Sequence, residues 1–214
     1  CLKACGAKIT EDSQNYLVQS EALHSPLKSL YCGNSGTTIR LLTGLLAGQG
    51  IEAELYGDQS LMNRPMDRII NPLKAMGADI DFKNGKIILK KSKIESATIN
   101  NRIPSAQVKS CIILAALGAK GKITINESYD TRDHTERMLQ FLSRDGIDVN
   151  NKKITLTKSI LNSENLTIPG DISKGSFLIA YACLSIRSNL IIKDVLINYR
   201  RMGFIHTLKK MGAS

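Results

Sequence analysis

A repeat of nearly constant length constrains the fold of this chain more than any other feature of its sequence. Four segments share one pattern, an amphipathic stretch that ends in a glycine, and these glycines lie 71, 69 and 66 residues apart: Gly6 in LKACGAKI, Gly77 in LKAMGADI, Gly146 in LSRDGIDV and Gly212 in LKKMGAS. Self-similarity at a fixed period indicates one supersecondary unit used several times. Because a glycine after a helix can adopt the left-handed conformation, each of the four predicts a helix end.

Each repeat reads as a helix, a strand, a second helix and a hairpin. In the third copy these elements are predicted at residues 108–117, 122–126, 135–144 and 147–157. The first helix of three repeats is apolar on nearly all sides, at residues 39–46, 108–117 and 177–184. Such helices are typically buried, so we predict an α/β fold with helices packed inside and sheets outside.

The phase of the repeat also bears on the two ends of the chain. Residues 1–6 match only the end of a second helix, and the chain stops at Ser214, where the fourth equivalent helix ends. The first residue is not Met. We therefore expect this chain to be part of a longer protein, with material missing at both ends.

Composition and charge exclude several classes of protein. With 214 residues, 43% of them hydrophobic, the chain can bury a core, which excludes intrinsic disorder. No apolar run approaches the roughly 20 residues of a membrane span, so we predict a cytoplasmic protein with no membrane partner. The net charge of +10 attracts anions. Because the lysines are scattered and no aromatic cluster accompanies them, we expect small anionic substrates and no nucleic acid.

Cysteine and histidine spacing gives no sign of a metal site. The five cysteines are odd in number and contain no C-x-x-C pair, so reduced thiols are predicted. The three histidines, His24, His134 and His206, lack metal-ligand spacing, and His134 reads as an ordinary first-turn residue. The sequence also lacks a P-loop, a dinucleotide fingerprint and a G-x-S-x-G elbow.

The starts of the first helices suit anions. They read GNSGTTIR at residues 33–40, PSAQVKS at 104–110 and PGDISKGS at 169–176. Unpaired backbone N–H groups and the positive end of the helix dipole meet at such starts. Ordinary capping preference explains each start singly, but three in register favour a shared site.

The starts of the second helices each carry an arginine at the turn from strand to helix. These are Arg64 in NRPMDR, Arg132 in TRDHTER, and Arg200 or Arg201 in NYRRMG. Guanidinium groups bind phosphate and carboxylate bidentately. A single exposed arginine is usually only solvated, but recurrence at one place in the repeat predicts anion ligands.

At these residues the chain resembles the 5-enolpyruvylshikimate-3-phosphate (EPSP) synthase family of enolpyruvyl transferases. Five motifs occur in family order: GNSGTTIRLLTGLLAG, GDQSLMNRPMDRIINPLKAMGA, IPSAQVKSCIILAALGA, SYDTRDHTERML and IPGDISKGSFLIAYACL. Enzymes acting on UDP-N-acetylglucosamine share the architecture, but SAQVKS and RDHTERM are similar to the shikimate branch.

The resemblance implies a fold and a domain organisation. The complete protein would be a monomer of about twice this length, with two domains built from βαβαββ units as inside-out α/β barrels. Residues 1–167 would form most of one substrate-binding domain, truncated at its start. Residues 168–214 would begin the second, and the active site would close against the remainder of the same polypeptide.

The resemblance also implies a reaction without a metal or an organic cofactor. The 5-hydroxyl of shikimate 3-phosphate attacks C2 of phosphoenolpyruvate as C3 is protonated, and the adduct then expels phosphate. Shikimate 3-phosphate would be bound by Ser105, the backbone of Ala106, Gln107 and Arg132. Phosphoenolpyruvate would be bound by Gly36, Arg64 and Gln107. The family's acid/base groups have no counterpart here, so we expect these residues alone to bind weakly and turn over nothing.

Two departures and two alternatives stay open at this stage. Lys174-Gly175 stands where many members have a serine and a small residue, and Leu41 replaces a proline, so glyphosate sensitivity is not predicted. The alternatives are an enolpyruvyl transferase acting on UDP-N-acetylglucosamine and a non-catalytic basic repeat domain that binds polyanions. Saturable shikimate 3-phosphate binding, nucleotide-sugar binding and salt-dependent DNA binding distinguish the three.

Overall fold

Two compact units make up the chain. The computed structural model describes residues 1–143 and 145–213, and the chain divides into the units Cys1–Asn162 and Ser163–Ser214. Within the described ranges, each helix is too short or too polar to cross a lipid bilayer.

The first unit opens on a 3₁₀ helix and a hairpin. The 3₁₀ helix spans Leu2–Cys5, and the antiparallel strands β1 and β2 span Lys8–Glu11 and Tyr16–Gln19. Gly6 between them has φ of 96°, the left-handed conformation that ends the helix. This order matches the end of a repeat, as the sequence predicts.

A complete βαβαββ repeat follows. Its strands pair in the order β3-β4-β6-β5, with β3 and β4 parallel and the other pairs antiparallel. Its elements are β3 (Leu30–Tyr31), α1 (Gly36–Gly48), β4 (Ala53–Tyr56), α2 (Gln59–Met62), α3 (Asp67–Ala75), β5 (Ile80–Lys83) and β6 (Lys86–Leu89).

The next repeat has the same topology. Its strands pair in the order β7-β8-β10-β9, again with the first two parallel. Its elements are β7 (Ala97–Asn101), α4 (Ala106–Ala116), β8 (Ile123–Glu127), α5 (His134–Leu142), β9 (Ile147–Asn150) and β10 (Lys153–Leu156). The predicted βαβαββ organisation is therefore confirmed in both complete repeats.

The core of the first unit is built around α1 and α4. Ile39 and Leu46 of α1 and Ile112 and Ile113 of α4 are fully buried. The strands bury alternate residues, as in β4, where Ala53 and Leu55 face the core and Glu54 between them is exposed. Helices lie inside and sheets lie outside in this unit, as predicted from the apolar character of the two helices.

The second unit contains less regular structure. It comprises α6 (Ile172–Leu184), a 3₁₀ helix at Tyr199–Arg201, α7 (Gly203–Lys210) and a β-bridge between Gly170 and Val195. No residue of α6 is buried, and Phe177, Leu178 and Leu184 are exposed, so the central burial that this apolar helix suits is not observed within residues 163–213. Within residues 163–213 the other elements offer too little surface to cover an apolar helix.

The predicted glycine caps hold at three of four places. Gly77 and Gly212 have φ of 97° and 100°, and both follow helix ends, as Gly6 does. Gly146 does not adopt this conformation, because α5 ends at Leu142 with Ser143 extended, and the Ser143 hydroxyl accepts the Gly146 N–H at 3.3 Å. Arg144, the predicted end of that helix, lies outside the described residues.

Candidate active site

The first part of the site is the start of α1. Ser35 caps this helix, and its hydroxyl oxygen accepts the Thr38 N–H at 3.1 Å and the Thr38 hydroxyl at 2.8 Å. Gly36 is the first helical residue, and it is buried. The small residues of the GNSG sequence therefore cap the helix and leave its N-terminal N–H groups at the site.

Two arginines lie against Gly36. A Cβ placed on Gly36 would lie 3.0 Å from Nη1 of Arg40 and 3.2 Å from Nη1 of Arg64, so a larger residue would push against both guanidinium groups. Arg64 also donates a hydrogen bond to Oδ1 of Asn34. Burial lowers the pKa of Arg40, and the charges of Arg64 and Arg68 lower it further. Cations held this close create a strong local preference for an anion.

The second part of the site is the start of α4. Ser105 caps this helix, with its hydroxyl 3.5 Å from the Val108 nitrogen, and Ala106 and Gln107 form the first turn. The amide of Gln107 accepts a hydrogen bond from Nη1 of Arg40 at 2.6 Å and donates one to Oγ1 of Thr37 at 2.7 Å. Gln107 thus joins the starts of the two helices.

A cleft of about 180 Å³ lies where these helix starts meet the start of α5. Its walls come from three elements: α1, α4 and the turn into α5. The lining residues are Thr37, Leu41, Ala106, Gln107, Ser110, Arg132, His134 and Thr135. The cleft therefore combines two helix starts with an arginine from a strand-to-helix turn, as an anion site requires.

The predicted site residues fall into two adjoining groups. Gly36 and Arg64 lie together beside Arg40. Ala106, Gln107 and Arg132 line the cleft, and Ser105 caps the helix that carries the first two. Gln107 reaches the first group through its bond to Arg40.

The third arginine position lies in the second unit, where Arg201 contacts a helix start. Its Nη1 lies 3.1 Å from Oδ1 of Asp171, and its Nη2 donates to the Ser173 hydroxyl at 2.8 Å. Arg200 instead donates to the Tyr199 hydroxyl at 2.7 Å. Arg201 therefore contacts the start of α6, and an anion-binding role for Arg200 or Arg201 stays a prediction.

Sequence reasoning missed Arg40 and Thr37. Arg40 lies four residues after Gly36, which is one turn along the same face of α1. The helical period could therefore have placed it beside the predicted anion position. Thr37 carries no such signal, because its place in the cleft lining and its bond to Gln107 both depend on how α1 and α4 pack together.

The side chains that meet at the site are hydrogen-bond donors and cations, and they do not include a cluster of metal ligands among the described residues. Within residues 1–143 and 145–213, no group of three His, Cys, Asp or Glu side chains lies close enough to hold a metal ion. The groups that meet here are guanidinium, amide, hydroxyl and backbone N–H. These are donors suited to phosphate and carboxylate oxygens.

The fold and the site define an α/β repeat protein with a cleft, lined by groups suited to small anions, where two helix starts meet. Comparison with known proteins identifies the particular family. The family model for EPSP synthase (3-phosphoshikimate 1-carboxyvinyltransferase) matches residues 1–214. The chain belongs to this family.

Individual relatives agree with the family match. The chain is 44% identical to the 3-phosphoshikimate 1-carboxyvinyltransferase of Thermodesulfovibrio yellowstonii over 100% of this chain and 52% of the relative. It is 46% identical to the protein of that name from Vesicomyosocius okutanii, over 98% and 49%. The EPSP synthase of Acinetobacter baumannii superposes with a TM-score of 0.84 at 34% identity, covering 99% of this chain and 50% of that one. The chain spans about half the length of the relatives it matches.

Proposed function

We propose that the protein carrying this chain transfers the enolpyruvyl group of phosphoenolpyruvate to the 5-hydroxyl of shikimate 3-phosphate. The observation that carries the proposal is the hydrogen bonding of Gln107. Its amide is bonded to Arg40 and Thr37 of α1, while Gln107 itself lines the cleft with Arg132. One side chain therefore connects two anion-binding positions, and the proposed reaction needs two phosphorylated substrates side by side.

Phosphoenolpyruvate is assigned to the start of α1. It carries a carboxylate and a phosphate, and Arg40 and Arg64 supply two guanidinium groups within reach of one position. Gly36 allows the anion to approach the helix backbone, because no Cβ occupies the space beside the two arginines.

Shikimate 3-phosphate is assigned to the start of α4. Arg132 supplies a guanidinium for its phosphate, and the first turn of α4, with Ser105 and Ala106, supplies the N–H groups of a helix start. Gln107 lies between the two positions. Holding two reactants in adjacent, fixed positions removes much of the entropic cost of a bimolecular reaction.

The reaction is an addition followed by an elimination. The 5-oxygen of shikimate 3-phosphate bonds to C2 of phosphoenolpyruvate, its hydroxyl proton is lost, and C3 gains a proton. The adduct then loses a proton from C3 as the bond from C2 to the phosphate oxygen breaks, which restores the double bond and releases phosphate. To the residues of this chain we assign the binding and orientation of both substrates.

The proposal also covers the domain boundary, the oligomeric state and the cellular compartment of the protein. Residues 1–167 belong to one domain and residue 168 begins another, which the division of the chain after Asn162 supports. The family resemblance further suggests that the complete enzyme acts as a monomer, with its active site closed by the remainder of the same polypeptide. The five free cysteines suit a reducing compartment such as the cytoplasm.

Phosphate release tests the proposal in the protein produced from its complete reading frame. We expect phosphate only when phosphoenolpyruvate and shikimate 3-phosphate are both present, and we expect saturation by each. The control replaces shikimate 3-phosphate with UDP-N-acetylglucosamine, which should release none.

Other outcomes would contradict the proposal. Turnover with the nucleotide sugar alone would assign the protein to the sister activity. Absence of turnover with either acceptor, together with DNA binding that weakens steeply as salt rises, would favour the non-catalytic polyanion-binding alternative.

A further inference from the structure

A buried ion cluster lies directly behind the cleft. Lys109 of α4 is fully buried, and its Nζ lies 3.0 Å from Oε2 of Glu127 and 2.6 Å from Oε1 of Glu136. The two carboxylate side chains are also almost completely buried. We refer to Lys109, Glu127 and Glu136 as the ion triad.

Stability alone is a weak reason for such a cluster. Removing charges from water costs several kcal/mol per ion, and well-packed apolar residues at such positions are often equally or more stabilising. The triad is also incompletely satisfied, because Oε2 of Glu136 is buried without a hydrogen-bond partner among the described residues. Burial raises the pKa of Glu136, which is a further sign that the arrangement is costly.

The positions of the three residues show what the triad holds. Glu127 is the last residue of β8, and Glu136 lies in the first turn of α5. Between these elements runs the segment 128–133, which carries Arg132 into the cleft. The triad therefore ties both ends of the Arg132 segment to a single ammonium group on α4.

Two further hydrogen bonds brace the same segment. The Thr131 hydroxyl donates to Oε1 of Glu127 at 3.0 Å, so the residue next to Arg132 is linked to the triad. The hydroxyls of Ser110 and Thr135 lie 2.6 Å apart, which adds a second link from α4 to the start of α5. Because α4 also carries Ala106 and Gln107 in its first turn, these links fix the position of Arg132 relative to the other residues that line the cleft.

We propose that Lys109 is a positioning residue for shikimate 3-phosphate: the ion triad fixes the Arg132 segment relative to the start of α4. The inference rests on the proposed function. Lys109 does not line the cleft and acts only through Arg132. Loss of Lys109 should therefore weaken the binding of the substrate assigned to Arg132 and leave the binding of the substrate assigned to α1 unchanged.

Substitution of Lys109 tests this role in the protein produced from its complete reading frame. Lys109→Met keeps the length of the side chain and removes the charge. We expect at least a tenfold rise in the Kd for shikimate 3-phosphate by calorimetry and a change of less than about threefold in the KM for phosphoenolpyruvate. Hydrogen exchange at residues 128–133 should quicken in the substrate-free protein.

The matched control is Ile113→Ala, which removes a fully buried apolar side chain from the same helix. It should lower the melting temperature and leave shikimate 3-phosphate affinity within about threefold of wild type. If Lys109→Met does not fold, Glu136→Gln decides the question, because it keeps the side-chain shape; a severalfold loss of shikimate 3-phosphate affinity alone is then expected.

The outcomes separate this inference from the proposed function. If the wild-type protein does not bind shikimate 3-phosphate, both are overturned. If the wild type binds and a folded Lys109→Met or Glu136→Gln variant binds equally well, only the positioning role is overturned. Equal weakening by Lys109→Met and Ile113→Ala would also overturn it, because the effect would then follow general destabilisation.

Discussion

Gly44 of α1 lies directly against the backbone of Cys111 in α4. A Cβ on Gly44 would lie 2.8 Å from the carbonyl carbon and 2.9 Å from the Cα of Cys111, and nearer still to its carbonyl oxygen. One turn further on, a Cβ on Gly48 would lie 2.6 Å from the carbonyl oxygen of Ala115. The two helices run parallel at backbone contact, and this spacing allows Thr37 and Gln107 to meet at their starts.

The first prediction follows from this contact. Gly44→Ala should destabilise the protein by about 1–3 kcal/mol, because a methyl group there forces the helix backbones apart. Separation of the helices also stretches the bond between Thr37 and Gln107, so substrate affinity should fall with stability. Denaturant unfolding and calorimetry measure the two effects.

Gly203→Ala is the control for this prediction. Gly203 is the first residue of α7, and nothing lies within 4 Å of a Cβ placed there. Its replacement should leave the free energy of unfolding unchanged or slightly raised, since alanine favours helix. Equal destabilisation by both substitutions would show that close packing is not the cause.

The second prediction separates the two anion positions. Arg132→Ala should weaken the binding of shikimate 3-phosphate, and Arg64→Ala should mainly weaken the binding of phosphoenolpyruvate. Each affinity should fall by about tenfold to a hundredfold, since a charge-assisted contact is worth about 1.5–3 kcal/mol. Arg137→Ala is the matched control, because Arg137 pairs with Asp133 at 2.9 Å on the exposed side of α5. Loss of both ligands in each of the first two variants would contradict the assignment.

Much of this arrangement follows from the sequence, because the repeat marks equivalent positions. The glycine spacing predicts the repeat, the family resemblance implies its βαβαββ units, and the recurring strand-to-helix turns mark Arg64 and Arg132 as equivalent residues of successive repeats. The bond between Gln107 and Thr37 could not be predicted, since it depends on how closely α1 and α4 pack. The glycine that sets this distance, Gly44, reads in the sequence as an ordinary small residue of an apolar helix.

The ion triad shows a second limit of sequence reasoning. Lys109 stands in the apolar run of α4, where a lysine is read as the exposed residue of an otherwise buried helix. Its partners are supplied by β8 and α5, which lie 18 and 27 residues further along the chain. A buried charge can be recognised only when the groups that compensate it are known.

The third prediction concerns pH and Glu136. Burial raises the pKa of this carboxyl in the folded protein, so the folded state holds its proton over a pH range in which the unfolded chain has lost it. The free energy of unfolding of wild type, relative to Glu136→Gln, should be highest below the ordinary glutamate pKa of about 4.3. It should fall as the pH rises through the raised pKa. Urea unfolding of both proteins between pH 4 and about pH 7 measures the difference, and a constant difference would argue against a buried titrating carboxyl.

The fourth prediction concerns thiol reactivity. Burial raises the pKa of Cys111 to about 12, so almost none of it is thiolate at neutral pH. Iodoacetamide should leave Cys111 unmodified in the native protein and modify it in guanidinium chloride, while the exposed Cys1 should react in both. Peptide mass spectrometry assigns the labelled residues, and native labelling of Cys111 would show that α4 opens readily.

The contact between Gly44 and Cys111 joins residues that are 67 positions apart in the chain. The strand pairings within each repeat join segments much closer in sequence, so the entropic cost of closing the intervening chain is greatest for the docking of α1 against α4. We expect each repeat to assemble first and the two helices to dock last. On this order the cleft at that junction forms only in the final step of folding, so ligand binding there would report that the whole unit is complete.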